Sequence, residues 1–338
     1  MLGHGHDCFV GDKQGVFSVK VVITTYPFGQ CSLDVQRLLD EIRNNHEAEI
    51  VFNALCRKYS KDEVAAVLEK ENPDIIIAGT ETYDAMQLDL CKNLKMIARA
   101  GVGLDSIDIE ECKRRKIIVT NTPDAPTNAV AELAVLQILS LLRRNHIVDR
   151  KMRENKWKRY TGRELKDCCV GVIGNGRIGS SVIKKIEAFN PKRILYTDLD
   201  PKREIFSSHT WSNKEDILRE CDVITIHMPL SSNSVNYIGK EELSLVKNNA
   251  VLINTSRGGI INEKNLHQWL SSNPEASAAV DVFENEPYDG RLLELTNVLL
   301  SPHFGPCTTT SRAAMESGAV REVLNFLCGT PPTNEVSI

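Results

Sequence analysis

"CCVGVIGNGRIGSSVIKKIEAF" (168–189) decides the fold. Its first residues form a short apolar run of the kind that makes a buried strand, and "RIGSSVIKKIEAF" carries apolar residues at helical spacing. Between them Gly174, Gly176 and Gly179 stand in G-x-G-x-x-G order, and a second apolar run ends in Asp198, 19 residues after the last glycine. Gly174 permits a tight turn, Gly176 lets backbone approach a pyrophosphate, and Gly179 lets the helix pack on the strand. The opening of that helix, Arg177 and Ile178 included, would present free N–H groups and a positive dipole end to phosphates. Asp198 can accept hydrogen bonds from both adenosine ribose hydroxyls and would repel a 2′-phosphate, which favours NAD over NADP. Lys202 and Arg203 nearby temper that preference.

Working outward, further apolar runs alternate with helical patterns, the signature of parallel sheets with crossover helices. In the second half they are "RILYTD" (193–198), "DVITIHM" (222–228), "NAVLINT" (249–255), "ASAAVDV" (276–282) and "NVLLSP" (297–302), which with 168–173 predict six strands. In the first half "VKVVITT" (19–25), "AEIVFNA" (48–54), "DIIIAG" (74–79), "KMIARAG" (95–101) and "IIVTN" (117–121) predict five, separated by helices such as "LDVQRLLDEIRNN" and "KDEVAAVLEKE". "NTPDAPTN" (121–128) breaks the pattern with two prolines and marks a domain crossing. The helix "AVAELAVLQILSLLRRN" that follows is apolar around most of its circumference, so it is buried either on its own sheet or against a partner subunit.

The 338 residues, 42% hydrophobic and 25% charged, allow two globular domains. A net charge of −4 gives no basic field for nucleic acid or anionic membrane, and no apolar run is long enough to span a bilayer. Ten cysteines without paired-ligand spacing read as reduced core residues and predict neither disulfides nor a metal site. With no apolar signal region near the start, a cytoplasmic location is expected. His4 and His6 lie in an opening segment read as a mobile leader.

Open α/β sheets bind ligands at the carboxyl ends of their strands. Of eight histidines, His227 ("TIHMPL") and His303 ("SPHFG") follow predicted strands, as does Arg257 ("INTSRGG"), whose two following glycines suggest close backbone approach to a ligand. Glu286 follows another strand, ahead of the stiffening Pro287. Histidine suits proton transfer near neutrality, and the arginine fork suits a carboxylate.

These elements resemble the D-isomer-specific 2-hydroxyacid dehydrogenase family over about residues 74–320, through "RAGVGLDSIDI", "NTP", "VAEL", "GVIGNGRIG", "HMPL", "LINTSRGGIINE", "DVFENEP" and "SPHFG". The resemblance implies an α/β fold in which a central Rossmann NAD domain (121–303) is inserted in a flavodoxin-like substrate domain (1–120 and 304–338). It assigns Arg257 to the substrate carboxylate and keto oxygen, His303 to proton transfer, and Glu286 to a hydrogen bond that favours the protonated form of His303. It places the amides of Val102 and Gly103 on the carboxylate and Asp281 on the nicotinamide carboxamide. "HMPL", with His227 and Pro229, would line the adenosine side, and Thr255 would join the cofactor set. Glu284 and Asp289 inherit no role. It also implies homodimerisation through the NAD domain, giving the apolar helix at 129–144 a partner.

The implied reaction interconverts a D-2-hydroxy acid and its 2-keto acid; D-3-phosphoglycerate, glycerate, hydroxypyruvate, glyoxylate and D-lactate are the candidates. Glu81 weakens a phosphorylated substrate, and Glu286 argues against formate chemistry, where glutamine pairs with the histidine. Pro306 and Cys307 depart from the small residues usual after "SPHFG"; Cys307 reads as a neutral filler rather than a reactive thiol. The chain ends too early for the regulatory domain of long phosphoglycerate dehydrogenases. The alternative is an NAD(H)-sensing scaffold like the carboxy-terminal-binding co-repressors, which resemble the same family.

Overall fold

The computed structural model describes residues 19–198 and 208–336. Lys202, Arg203, His4 and His6 lie outside them. The chain divides into two units at Ala100/Gly101, Asp105/Ser106, Asn121/Thr122 and Met315/Glu316. The crossing expected after His303 therefore falls twelve residues later, inside a continuous helix (Thr309–Leu327), where no turn residue marks it in the sequence.

The first unit contains β1 (Val19–Ile23), α1 (Leu33–Asn45), β2 (Ala48–Phe52), α2 (Lys61–Glu71), β3 (Ile75–Ala78), α3 (Ala85–Asp89), β4 (Met96–Arg99), α4 (Ile109–Arg114) and β5 (Ile118–Thr120). Helix starts follow local chemistry: Ser32 caps α1, and Ser60 with Glu63 forms a capping box on α2. All five strands are parallel in the order β2-β1-β3-β4-β5, the flavodoxin-like winding. Val21, Ile23, Ile75, Ile77, Met96 and Ala98 pack with Leu39 and Ile42 of α1 and with Ala319, Val320 and Val323 near the chain end. Glu335 forms an antiparallel bridge with Thr120, so the last residues return to β5.

In the second unit follow α5 (Thr127–Leu142), α6 (Asn145–Arg153), β6 (Cys169–Ile173), α7 (Arg177–Ile186), β7 (Arg193–Thr197), β8 (Thr210–Trp211), α8 (Lys214–Glu220), β9 (Val223–Ile226), α9 (Lys240–Leu245), β10 (Val251–Asn254), α10 (Glu263–Ser272), β11 (Ser277–Val280) and β12 (Val298–Leu300). The helix Thr309–Leu327 is α11. The order β12-β11-β10-β9-β6-β7-β8 is all parallel and reverses direction between β6 and β9. That is the Rossmann winding, with its ligand crevice at the switch point. A seventh strand, β8, joins the six expected; two residues are too short to carry a period that sequence reading detects.

The apolar helix α5 buries Ala131, Ala134, Ile138, Leu141 and Leu142 with Val170, Val172, Val182 and Ile253, on one face of its own sheet. Of the two fates open to it, the core accounts for most of its surface, and Leu136 remains 59% exposed. Among the described residues no helix is long and apolar enough to cross a membrane, and no cluster of three or more metal-ligating side chains occurs.

Candidate active site

Every predicted site residue except Val102 and Gly103 sits at or just beyond the carboxyl end of a strand of the seven-stranded sheet. The β6–α7 turn carries Gly174, Gly176 and Gly179; β7 ends at Asp198, β9 at His227, β10 at Thr255 and Arg257, β11 at Asp281 and Glu286, and β12 at His303. Because β6 and β9 pair, the glycine turn and His227 lie side by side.

Gly174 has φ +93°, and a Cβ there would stand 2.6 Å from the carbonyl oxygen of His227. A Cβ on Gly179 would lie 1.9 Å from the carbonyl oxygen of Gly174. Both glycines are thus required by backbone approach. Gly176 is the N-cap of α7 and offers no side-chain bond, which leaves the first-turn N–H groups for an anion. Arg177 opens the helix, its Nε 2.7 Å from Asp124 Oδ1, while Ile178 packs against the core. Asp198 Oδ2 accepts the N–H of Asn175 at 2.7 Å, so this carboxylate also shapes the turn.

The chemistry around this turn fits a dinucleotide. Asn175 Nδ2, His227 Nδ1 and Thr255 Oγ1 are buried polar atoms without a protein partner, at the ends of three neighbouring strands. Buried polar groups are ordinarily satisfied, and three orphans grouped at the glycine turn are open to the donors and acceptors of a bound dinucleotide. Sequence reading misses Asn175, because an unsatisfied amide is visible only in three dimensions. Pro229 lies exposed beyond β9, its carbonyl accepting Ser234 Oγ at 2.8 Å.

His227 is 9% exposed, its Nε2 is 2.8 Å from Thr225 Oγ1, and burial drives its pKa down to about 3. It stays neutral near pH 7 and is no proton donor. Since the unfolded imidazole titrates near 6.5, stability is lost as pH falls from that value toward 3, because only the unfolded chain takes up the proton. Thermal unfolding followed over this window should show His227→Gln losing less stability on acidification than the wild type.

The other half of the edge is built from β10, β11 and β12. Arg257 Nε donates to both oxygens of Asp105 at 3.0 Å, and Nη1 donates to the Ser256 carbonyl at 2.7 Å. A Cβ on Gly103 would stand 1.5 Å from Arg257 Nη2, so Arg257 lies directly over the Val102–Gly103 turn. Asp105 stands inside the motif "RAGVGLDSIDI", where the sequence alone gives it no role; 152 residues of separation hide the pair. Gly258 answers a different need from the one expected. Its missing Cβ would be 2.0 Å from the Phe283 carbonyl carbon and oxygen, so the close approach is to protein backbone, which clamps the arginine loop onto the loop of Glu286.

His303 Nδ1 lies 3.0 and 3.2 Å from the two oxygens of Glu286. A carboxylate only accepts, so Nδ1 carries a proton and Nε2 faces away, available for exchange. Glu286 Oε1 also takes the Phe283 N–H at 3.2 Å, which fixes the carboxylate before the histidine reaches it. His303 has φ +53°, a left-handed conformation that histidine tolerates better than most residues. Asp281, 1% exposed, accepts Ser301 Oγ and the Phe304 N–H on Oδ1 and the Gly305 N–H on Oδ2. Glu284 pairs with Glu263 through backbone and carboxylate, away from the dyad. The Cys307 thiol is pushed up by desolvation, away from the thiolate a reactive cysteine needs.

The model of the D-isomer specific 2-hydroxyacid dehydrogenase NAD binding domain matches residues 135–305. A glyoxylate reductase from Thermococcus litoralis is 37% identical over 284 residues, 80% of this chain and 86% of that protein. A D-3-phosphoglycerate dehydrogenase from Methanocaldococcus jannaschii is 36% identical over 327 residues, 95% of this chain but 60% of that protein, so this chain spans three fifths of that relative. The crystal structure of the TT0316 protein from Thermus thermophilus is similar with a TM-score of 0.82 at 30% identity, covering 94% of this chain and 100% of that one. A doubly wound fold with a glycine turn at its switch point and a histidine–carboxylate pair at the strand ends, matched to this family model, is that of an NAD-linked oxidoreductase. The chain belongs to the D-isomer-specific 2-hydroxyacid dehydrogenase family, oxidoreductases that interconvert 2-hydroxy and 2-keto acids. The scaffold alternative is not favoured.

Proposed function

We propose that this chain reduces small, unphosphorylated 2-keto acids, glyoxylate and hydroxypyruvate foremost, to D-2-hydroxy acids with NADH. The observation that carries this reading is the placement of Arg257, Glu286 and His303 on the ends of three adjacent parallel strands, beside the dinucleotide turn. NADH supplies the hydride to the keto carbon. Arg257 orients the substrate carboxylate through its Nη2 edge, with the Val102–Gly103 turn beside it, and Asp105 holds the guanidinium in plane. The imidazolium of His303 gives the Nε2 proton to the developing alkoxide and is left neutral, still donating Nδ1–H to Glu286. With a dinucleotide bound, Asp281 Oδ2 would have a second acceptor position for the carboxamide, and Asp198, just beyond β7, would take the ribose hydroxyls.

The preference for an unphosphorylated substrate draws on the first unit, proposed as the substrate domain. Glu81, 3% exposed at the end of β3, is held by the Gly79 N–H at 2.8 Å and Thr24 Oγ1 at 3.3 Å. Relatives that take phosphorylated substrates often carry an arginine at the end of the corresponding strand, where this chain has Glu81. The naming of the Thermococcus litoralis relative as a glyoxylate reductase points the same way.

A homodimer through the NAD domain belongs to this reading. Outside the core, Leu136, Met152 and Trp157 are 59%, 47% and 78% exposed, and Met152 and Trp157 line one groove with Val148 and Tyr160, an apolar surface suited to a second copy. Free cysteines throughout the described residues and the modest net negative charge agree with a reducing cytoplasm, without nucleic-acid or membrane partners.

NADH oxidation measured with glyoxylate, hydroxypyruvate, pyruvate, branched keto acids and 3-phosphohydroxypyruvate tests the proposal. Glyoxylate or hydroxypyruvate should give the highest kcat/KM; a preference for the phosphorylated acid would reverse the substrate assignment, and tight NADH binding without turnover on any would favour the scaffold. Arg257→Ala should lower kcat/KM by about 10²–10³-fold, equivalent to roughly 3–4 kcal/mol, the scale of a lost charged partner.

A further inference from the structure

We propose that Gln137 and Ser301 are positioning residues that act through Asp281 to hold the His303 loop in its proton-transferring conformation, an inference that rests on the role assigned above to His303. Asp281 binds three consecutive N–H groups of that loop. Its carbonyl oxygen takes the His303 N–H at 2.7 Å, Oδ1 takes that of Phe304 at 2.8 Å, and Oδ2 takes that of Gly305 at 2.8 Å. This grip stabilises the left-handed backbone at His303 (φ +53°) and aims the ring at Glu286.

Asp281 is itself held from behind. Ser301 Oγ is bonded to Oδ1, and because a carboxylate only accepts, the hydroxyl proton must point at Asp281. The serine lone pairs are then open to a donor, and Gln137 Nε2 provides it at 3.3 Å. Gln137 stands in α5, 2% exposed, among core residues Ala134, Ile138 and Leu141. Its Oε1 is buried with no partner, which is unfavourable. Leucine would fill the same space without that penalty, so what the amide contributes is the Nε2 donation. The relay runs one way: core helix, serine, carboxylate, histidine loop. Gly305 closes it, since a Cβ there would come within 3.3 Å of Asp281 Oδ2 and 3.2 Å of Val130 Cγ2 on α5.

Gln137→Leu should therefore be as heat-stable as the wild type or more so, yet have kcat reduced about five- to tenfold, with KM and the NADH Kd within about twofold. Ser301→Ala should lose about ten- to a hundredfold in kcat, and Ser301→Thr, which restores the hydroxyl, should recover most of it. Wild-type kcat in both Gln137→Leu and Ser301→Ala would overturn the relay, as would a loss of NADH affinity in step with kcat, or a loss of kcat that follows thermal stability and is not rescued by threonine. If the functional reading itself fails, it shows separately as absence of keto-acid turnover in the wild type. Hydrogen exchange at the 303–305 amides then still decides the relay: faster exchange in both variants supports it, and unchanged protection overturns it.

Discussion

Replacing His303 by alanine should lower kcat for keto-acid reduction by about 10²–10⁴-fold, the usual worth of a positioned general acid, while NADH binding measured by fluorescence stays within about twofold. The dyad geometry makes this the most sensitive position for turnover. Glu286 holds Nδ1 at 3.0 Å and leaves Nε2 as the only ring nitrogen for exchange. Alanine also meets a left-handed backbone at φ +53°, so a companion variant is needed. His303→Asn tolerates that conformation and has no titratable ring; an equal loss in both variants assigns the effect to proton transfer. Wild-type rates in either would exclude His303 as the acid. Glu286→Gln separates charge from position. The amide keeps an acceptor oxygen within reach of Nδ1 but carries no charge, so kcat should fall well below the wild-type value. Wild-type kcat would leave Glu286 a purely positional part.

Gly179→Ala should raise the NADH Kd by at least about tenfold, or 1.4 kcal/mol, and lower the thermal midpoint as well. The added Cβ would sit 1.9 Å from the Gly174 carbonyl oxygen, a backbone atom that cannot swing aside. Overpacking of this kind costs about 1–3 kcal/mol in a packed core. Here α7 must back away from β6, and the N–H groups at its start would leave the position proposed to meet the phosphate oxygens. Titration of NADH fluorescence and a melting curve read both effects; retention of wild-type affinity would mean that the turn is not the pyrophosphate site.

Much of this is legible in the sequence because the signals are local. Eleven of the twelve strands among the described residues lie within the predicted apolar runs, and the turn at Gly174–Gly179 announces itself through glycine spacing. Strand ends can be read as site positions because parallel sheets bind ligands there. Other features are not legible. Asp105 stands 152 residues from Arg257, and Gln137 164 residues from Ser301, distances at which no periodicity connects two side chains. Gly258 looks like a ligand contact in the sequence and is the point where two loops touch, since a glycine reports only that something is near. The crossing at Met315/Glu316 passes through an unbroken helix, so no turn residue betrays it.

The sequence alone pointed to the doubly wound class and the glycine turn, because those signals lie within one strand–loop unit, and it put His227, Arg257, Glu286 and His303 after strands; the family resemblance, not spacing, chose Arg257, Glu286 and His303 among them as the proposed chemical set. Only the tertiary structure decided which groups orient them. Asp105 on the arginine, and Asp281 with Ser301 and Gln137 behind the histidine loop, are set by strand order and helix packing. Which groups come within hydrogen-bonding distance depends on where distant backbones meet, and that is a property of the packed sheet rather than of any stretch of chain.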